Sequence, residues 1–179
     1  MKTMLTTTLA LSLCLAVGAC ADRAEPQPTS QTAAASQAER ITGTFAFVLD
    51  ASDVATTLRA RCDGDSGGDV DRARACFDEI RAEAATEKIR FSRDAAGTMV
   101  WRSFGVKEGK EELFLEVPVE LSPSGPQHVE AKIAGTPVGP QTASFPPGGV
   151  MPTMRVEIID ATTIAMIDPR KGRLVFSRE

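Results

Sequence analysis

In the segment KIRFSRDAAGTMVWRSF, residues 88–104, apolar and polar side chains alternate on both sides of a short polar break. Residues 88–92 alternate first, and residues 94–97, DAAG, have the composition of a turn. The chain then returns with Met99 and Trp101 on one face and Val100 and Arg102 on the other. A period of two is typical of a β-strand with one buried face. The segment therefore predicts an antiparallel hairpin.

Further segments of the same kind lie along the chain. ELFLEVPVEL, residues 112–121, keeps its leucines and valines on one face, and Pro118 within it predicts a sheet edge or a bulge. TFAFVLD at residues 44–50 suits a buried strand, and QHVEAKI, MRVEIID, TTIAMID and RLVFSR continue the pattern downstream. We count about eight strands in an antiparallel meander, which either curls closed or packs on helices. The predicted fold is mainly β with a helical hairpin (α+β), a curved sheet or small barrel.

Between the first and second predicted strands, the apolar side chains recur at the spacing of a helix and no longer at that of a strand. Ser52 is placed to cap the first helix, with Asp53 in its first turn, and Asp69 is placed to cap the second. Apolar side chains recur at helical spacing in each: Val54, Leu58 and Cys62 in the first, and Ala73, Phe77, Ile80 and Ala84, with Cys76 beside them, in the second. We therefore expect a helical hairpin directly after the first strand.

The N-terminus has the features of an export signal. A positive start, Met1-Lys2, precedes an apolar run at residues 5–17 that is too short for a transmembrane anchor, followed by small residues. VGAC, which ends at Cys20, resembles the lipobox of bacterial lipoproteins, in which this cysteine is acylated and becomes the new N-terminus. The alternative is an ordinary signal-peptidase site that leaves a cysteine behind.

The lipobox resemblance divides the chain into three parts. Residues 1–19 are the signal peptide, residues 20–40 are the acylated cysteine and a flexible tether, and residues 41–179 are one globular domain. The tether contains almost no large apolar side chain, so we expect a coil with a reach of roughly 25 Å. An aspartate directly after the acylated cysteine tends to mark inner-membrane retention in this family, and here that residue is Ala21. The resemblance implies a lipid-anchored protein on the outer membrane, facing the periplasm.

The segment RCDGDSGGDVDRARAC, residues 61–76, contains a GDSGG sequence that resembles the nucleophile loop of chymotrypsin-like serine proteases. A catalytic triad there needs a histidine base for Ser66. His128 is the only histidine, and it follows the serine where the protease order places it before. The domain is also far too short for two barrels. We interpret GDSGG as a hairpin loop whose glycines permit positive φ.

The aspartates of the same segment resemble the start of an EF-hand calcium loop. Asp63, Asp65, Asp69 and Asp71 fall at the first, third, seventh and ninth loop positions. The twelfth position needs a bidentate glutamate and is Arg74. Solvated aspartates near a helix cap are the preferred interpretation, and a weak calcium site at these four residues is the alternative. We expect no resident metal and no cofactor other than the covalent lipid on Cys20.

Four cysteines are present in the sequence. Once Cys14 leaves with the signal and Cys20 is acylated, Cys62 and Cys76 remain in an oxidising compartment, where they are expected to pair. Closing a loop of about fifteen residues contributes on the order of 3 kcal/mol in the chain-entropy account of disulfides. We therefore expect a disulfide that fixes the turn between the two helices.

The predicted domain resembles the lipocalin-like domains of small bacterial lipoproteins. The resemblance rests on the opening strand GTFAF, the helical insertion after it, the AGTMVW hairpin and the closing strand LVFSR. Lipocalins proper have a G-x-W motif on the first strand and a helix after the barrel, whereas here Gly43 is followed by Thr44 and Phe45. The resemblance implies a curved sheet or barrel, and the departure argues against a deep ligand calyx.

The sequence favours binding over catalysis. It contains no GxSxG, HExxH, P-loop, Rossmann or CxxC pattern, and its formal net charge of −4 argues against nucleic acid as a partner. We expect a non-catalytic binding or interaction module for an envelope protein or a small hydrophobic ligand. A structural or assembly factor of the envelope, or a carrier of a small apolar ligand such as a lipid, are the alternatives. The Pro/Gly-rich loop at residues 134–152 presents Phe145, Val150 and Met151 as a candidate interaction loop.

Overall fold

The computed structural model describes residues 30–144 and 153–179. Its helices are α1 (Ser30–Ile41), α2 (Val54–Asp65) and α3 (Val70–Ala84), with short 3₁₀ turns at Leu49–Ala51 and Pro140–Ser144. Its strands are β1 (Gly43–Phe47), β2 (Glu87–Arg93), β3 (Met99–Lys107), β4 (Lys110–Gly125), β5 (His128–Ile133), β6 (Met154–Ile158), β7 (Thr163–Asp168) and β8 (Gly172–Arg178).

The eight strands form one closed antiparallel barrel in which neighbours in the sequence are neighbours in the sheet. β1 closes the ring onto β8, with Phe45 opposite Arg178 and Phe47 opposite Phe176. The predicted mainly β meander, with a helical hairpin after its first strand, is therefore confirmed. Its closed form is consistent with a lipocalin-like small barrel.

The β2–β3 hairpin follows the alternation of its sequence. Phe91 lies opposite Trp101 on the inner face, and Arg90 lies opposite Arg102 on the outer face. At the turn, the Asp94 Oδ1 accepts hydrogen bonds from the amide nitrogens of Ala96 and Thr98, at 2.9 and 2.8 Å. The predicted hairpin is confirmed, with an aspartate that satisfies the amides of its own turn.

Large side chains fill the interior of the barrel. Phe45 and Phe91 are fully buried, and Trp101 is 9% exposed. Further buried side chains from β2 to β8 pack with them: Ile89, Met99, Leu115, Val117, Val119, Val129, Ala131, Ile133, Val156, Ile158, Ile164 and Phe176. A barrel of about eight strands has room for packed side chains or for one small ligand. Here the side chains occupy that room.

Pro118 lies where β4 changes its neighbours. The first part of β4 pairs with β3 as far as Pro118, and its second part pairs with β5 from Val119 onward. Beside the first part, Glu116 and Val138 form an isolated bridge in which each amide donates to the other's carbonyl oxygen. The predicted sheet edge at Pro118 thus corresponds to the point where one strand partner replaces another, which suits a residue that has no amide hydrogen.

The first strand is shorter than predicted, and Ser52 does not cap α2. β1 ends at Phe47, and the chain turns through Leu49–Ala51 beside β8. The Ser52 hydroxyl donates to the carbonyl oxygen of Val48 at 2.9 Å and accepts from the amide of Val175 at 2.9 Å. Asp53 precedes α2 without a side-chain capping bond. The predicted cap is wrong because both side chains bind β8 instead, Asp53 through the amide of Arg173.

Asp69 caps α3 as predicted. Its Oδ1 accepts hydrogen bonds from the amide nitrogens of Asp71 and Arg72, at 3.0 and 3.1 Å. The inner face of α3 is also as predicted, because Ala73, Phe77 and Ala84 are buried. This helix therefore forms from local signals that the sequence already contains.

The C-terminal part of the expected tether is helical. α1 lies against the β4–β5 hairpin, where the Gln37 Nε2 donates to the carbonyl oxygens of Gly125 and Pro126 at 2.7 and 3.2 Å. Ala38 and Ile41 are buried in the barrel core. The expected coil through residue 40 is therefore corrected, since residues 30–40 lie in a helix whose last turns belong to the folded domain.

The reason for this difference is tertiary. The low hydrophobicity of residues 21–40 predicts disorder because such a segment cannot bury enough surface on its own. The AAASQA sequence has high helix propensity, and the barrel end supplies the apolar surface that the segment lacks. In the described part of the chain, no helix has the length and apolar character needed to cross a membrane.

The two ends of the barrel are covered by different helices. α1 precedes the start of β1 and covers the end that carries the β4–β5 hairpin. The α2–α3 hairpin follows the other end of β1 and lies near the β7–β8 turn. The pairing of β1 with β8 therefore closes the barrel wall, α1 covers one end of the barrel, and the α2–α3 hairpin covers the other.

Candidate functional site

A disulfide joins the two helices that cover the second barrel end. Cys62 in α2 and Cys76 in α3 are bonded, with their Cα atoms 5.8 Å apart. Cys62 is 1% exposed and packs with Leu49, Phe77 and Ala84. The predicted disulfide is confirmed, and it fixes the separation of the helices close to their connecting loop.

A cluster around Phe77 ties the same helices to the barrel. The guanidinium carbons of Arg59 and Arg81 lie 4.4 and 5.2 Å from the centre of the Phe77 ring. Both arginines also pair with Asp50, at 2.6 and 2.9 Å. Asp50 lies on the 3₁₀ turn after β1, so this cluster connects α2 and α3 to the chain that leaves the barrel.

Between the helical hairpin and the barrel lies a cleft of about 270 Å³, which we call the end cleft. Apolar side chains from the barrel, the 3₁₀ turn and both helices form most of its lining: Phe47, Leu49, Val54, Leu58, Ile80, Ala84, Leu174 and Phe176. The rings of Phe47 and Phe176 lie 5.3 Å apart at an angle of 51°. The end cleft is thus a small apolar recess with an aromatic pair on its barrel side.

Three charged residues complete the lining of the end cleft. Glu83 comes from α3, Glu87 from the first residue of β2, and Lys171 from the β7–β8 turn. Burial raises the pKa of the Glu87 carboxyl, while the positive charge of Lys171 opposes this rise and the negative charge of Glu83 adds to it. None of the three forms an ion pair within the described part of the chain.

Other grooves are larger but less suited to an apolar occupant. A groove of about 340 Å³ beside α1 includes Arg93, Thr98 and Glu120 in its lining. A groove of about 310 Å³ on the outside of the helical hairpin is lined mainly by charged residues: Arg59, Asp63, Arg74, Asp78 and Arg81. The end cleft therefore has the most apolar lining of these sites, and we take it as the candidate functional site.

Ser66 and His128 are not brought together. The Ser66 hydroxyl donates to the carbonyl oxygen of Asp63 at 2.8 Å, at the C-terminus of α2. His128 begins β5 at the barrel end that α1 covers. Gly67 and Gly68 have φ values of 65° and 94°. GDSGG is therefore a turn that uses the conformational freedom of its glycines, as interpreted from the sequence.

The candidate calcium ligands do not converge. Asp63 and Asp65 lie in the last turn of α2, where residues two apart point to different sides of the helix. Asp65 pairs with Arg61 at 3.6 Å, and Asp69 is used as the cap of α3. Within residues 30–144 and 153–179, no group of three histidine, cysteine or carboxylate side chains is arranged to hold a metal ion. Because α2 continues through Asp63 and Asp65, the structure does not bring the four aspartates of the calcium alternative, Asp63, Asp65, Asp69 and Asp71, together as one set of ligands.

The candidate interaction residues Phe145, Val150 and Met151 lie outside the described residues. Sequence reasoning assigned Val54, Leu58 and Ile80 to the inner faces of the helices but did not identify a cleft. The sequence did contain a sign of the cleft: the apolar faces of α2 and α3 have more apolar surface than the small core between the two helices can bury. What could not be read from local patterns was the contribution of Leu174 and Lys171, which come from the far end of the chain.

No protein family, curated protein or solved structure matches this chain. The barrel and the end cleft are therefore the features of the chain that bear on its function.

Proposed function

We propose that this protein is a lipid-anchored bacterial lipoprotein whose barrel is a non-catalytic interaction module of the cell envelope. The anchor is assigned to Cys20 from the export signal and the VGAC sequence. The module is proposed to face the periplasm from the outer membrane and to bind an envelope protein through the end cleft. No nucleic acid partner is proposed, in keeping with the acidic charge of the chain.

The observation that carries the binding proposal is the contrast between a filled barrel and a small apolar recess outside it. Pockets that enclose a drug-sized ligand usually measure about 300–1,000 Å³. The end cleft measures about 270 Å³, so it accommodates part of a ligand better than a whole lipid. Anchor side chains that enter small apolar pockets supply much of the affinity at protein interfaces. The volume therefore favours a protein partner over carriage of a lipid or other small apolar ligand.

Replacing Cys20 with serine is expected to release the protein from the membrane into the soluble periplasmic fraction. A serine at this position cannot be acylated, and a domain held by a lipid then has no anchor. Fractionation followed by immunoblotting measures the change, and Ala21→Ser is the matched control that keeps the cysteine. Retention of the Cys20→Ser protein in the membrane fraction would show that the anchor assignment is wrong.

A photo-crosslinking amino acid at Leu58, in the end cleft, is expected to yield a discrete protein adduct in intact cells. The same amino acid at Ile167, which is 37% exposed on β7, is the matched control and should yield no such adduct. Mass spectrometry of the adduct identifies the partner. An adduct that contains only lipid would contradict the interaction module and favour the carrier alternative, while equal adducts from both positions would remove the end cleft as the binding site.

A further inference from the structure

The charges of the end cleft are unbalanced. Two carboxylates, Glu83 and Glu87, accompany one ammonium group, Lys171, so the lining has a formal charge of −1 when all three are ionised. Lys171 pairs with neither carboxylate within the described structure. Among residues 30–144 and 153–179, nothing therefore occupies the carboxylate oxygens beside the apolar recess, and they can accept hydrogen bonds from a ligand.

We propose that the occupant of the end cleft is a segment of a partner protein in which an apolar side chain stands next to a lysine or arginine. This inference rests on the proposed interaction module and specifies the chemistry that the module recognises. The apolar side chain contacts Leu58, Leu174 and the Phe47–Phe176 pair, and the basic group binds the carboxylates of Glu83 and Glu87.

Electrostatic complementarity is the reason for the basic residue. An anionic segment would meet two carboxylates beside a low-dielectric surface, which is unfavourable. A cationic segment adds a second positive charge to that of Lys171, and its approach favours the ionised form of the Glu87 carboxyl, whose pKa burial raises. The arrangement therefore selects by charge as well as by apolar contact.

The size of the end cleft is the reason for a peptide anchor. A volume of about 270 Å³ receives a side chain and leaves the remaining parts of the partner outside. The lining comes from elements that are held in place by the Cys62–Cys76 disulfide and by the ion pairs of Asp50 with Arg59 and Arg81. The recess therefore exists before a partner arrives. A preformed recess loses little conformational entropy on binding.

Three blocked tetrapeptides test the inference against the mature chain carrying Cys20→Ser. Their central residues are Phe-Lys, Phe-Glu and Ser-Lys, with glycine on both sides, and amide chemical-shift changes in NMR titrations report both site and affinity. We expect the Phe-Lys peptide to shift amides of the end cleft and to bind about tenfold more tightly than the Phe-Glu peptide. The Ser-Lys peptide should bind weakly, because it lacks the apolar anchor.

Glu87→Gln keeps the shape of the side chain and removes its charge. This variant should reduce the preference for Phe-Lys over Phe-Glu to about threefold or less, while Glu130→Gln, on the exposed wall of β5, should leave it unchanged. Any one of three results would overturn the inference. These are equal binding of Phe-Lys and Phe-Glu, no binding of any peptide at millimolar concentration, and tighter binding of the fatty acid decanoate than of Phe-Lys.

The outcomes separate this inference from the proposed function. A protein adduct from Leu58 combined with no preference for the Phe-Lys peptide would overturn the inference and leave the interaction module in place. A clear Phe-Lys preference without any protein adduct in cells would support the recognition chemistry and contradict the module.

Discussion

Replacing Phe91 with alanine is expected to lower the free energy of unfolding by about 3–5 kcal/mol. Phe91 is fully buried on β2, and it lies opposite Gly43 on one neighbouring strand and Trp101 on the other. Removal of its ring leaves a space that a closed barrel cannot easily fill, because hydrogen bonding on both sides of each strand restricts movement of the wall. Since small domains are stable by about 5–15 kcal/mol, the loss is a large part of the total.

Urea denaturation of the mature chain carrying Cys20→Ser measures this loss. Val70→Ala is the surface control, because Val70 is 70% exposed and its truncation should change the free energy of unfolding by no more than about 0.5 kcal/mol. The loss in the free energy of unfolding for Phe91→Leu should fall between the losses for Val70→Ala and Phe91→Ala. A loss below about 1 kcal/mol for Phe91→Ala would contradict the tightly packed interior and bring back the alternative of a ligand cavity within the barrel.

Removing the disulfide by the double substitution Cys62→Ala and Cys76→Ala is expected to lower the free energy of unfolding by about 3 kcal/mol. The two cysteines are 14 residues apart in the sequence, and the bond restricts the unfolded chain across that loop. The turn between α2 and α3 contains Gly67 and Gly68, which allow many backbone conformations once the bond is absent. The same urea titration measures the effect.

Two further measurements separate the bond from the side chains. Intact-mass analysis after alkylation should find no free Cys62 or Cys76 thiol before reduction and two afterward. Reduction of the unsubstituted chain should lower the free energy of unfolding by about as much as the double substitution does. The double substitution is preferred to either single substitution because a single substitution also leaves a free thiol. Two free thiols at the outset, or equal stability with and without reductant, would contradict a structural role for the bond.

Much of the barrel could be predicted because its signals are local. The alternation around Trp101 and the turn at Asp94 define β2 and β3, and Asp69 caps α3 from the position directly before the helix. The cysteine pair was predictable from the number of thiols and from the oxidising compartment that the sequence leads us to expect. In each case the interaction partners lie within a short stretch of chain, so a single sequence contains the relevant information.

The errors arise where distant residues compete with local signals. Ser52 has the composition of a helix cap, but the amide of Val175, 123 residues away, binds its hydroxyl. Gln37 lies in a segment of disordered composition, but its amide donates to the carbonyl oxygen of Gly125, 88 residues away. The end cleft was missed for the same reason, because its lining joins residues from both halves of the chain. Local patterns contain no record of such contacts until the topology is known.

The closure of β1 onto β8 has a consequence for the order in which the chain folds. The side chain of Arg178 donates to the carbonyl oxygen of Thr42, 136 residues away in the sequence, so closing the barrel joins segments that are very far apart in the chain. Contacts of such long range make folding slow, typically milliseconds to seconds for β-rich domains, because the entropy of a large loop is lost before the contact forms. Until β8 is available, β1 and β7 each present an unpaired edge to which another chain can add a strand. A chain that is still folding is therefore most prone to aggregate before β8 has paired with β1 and β7.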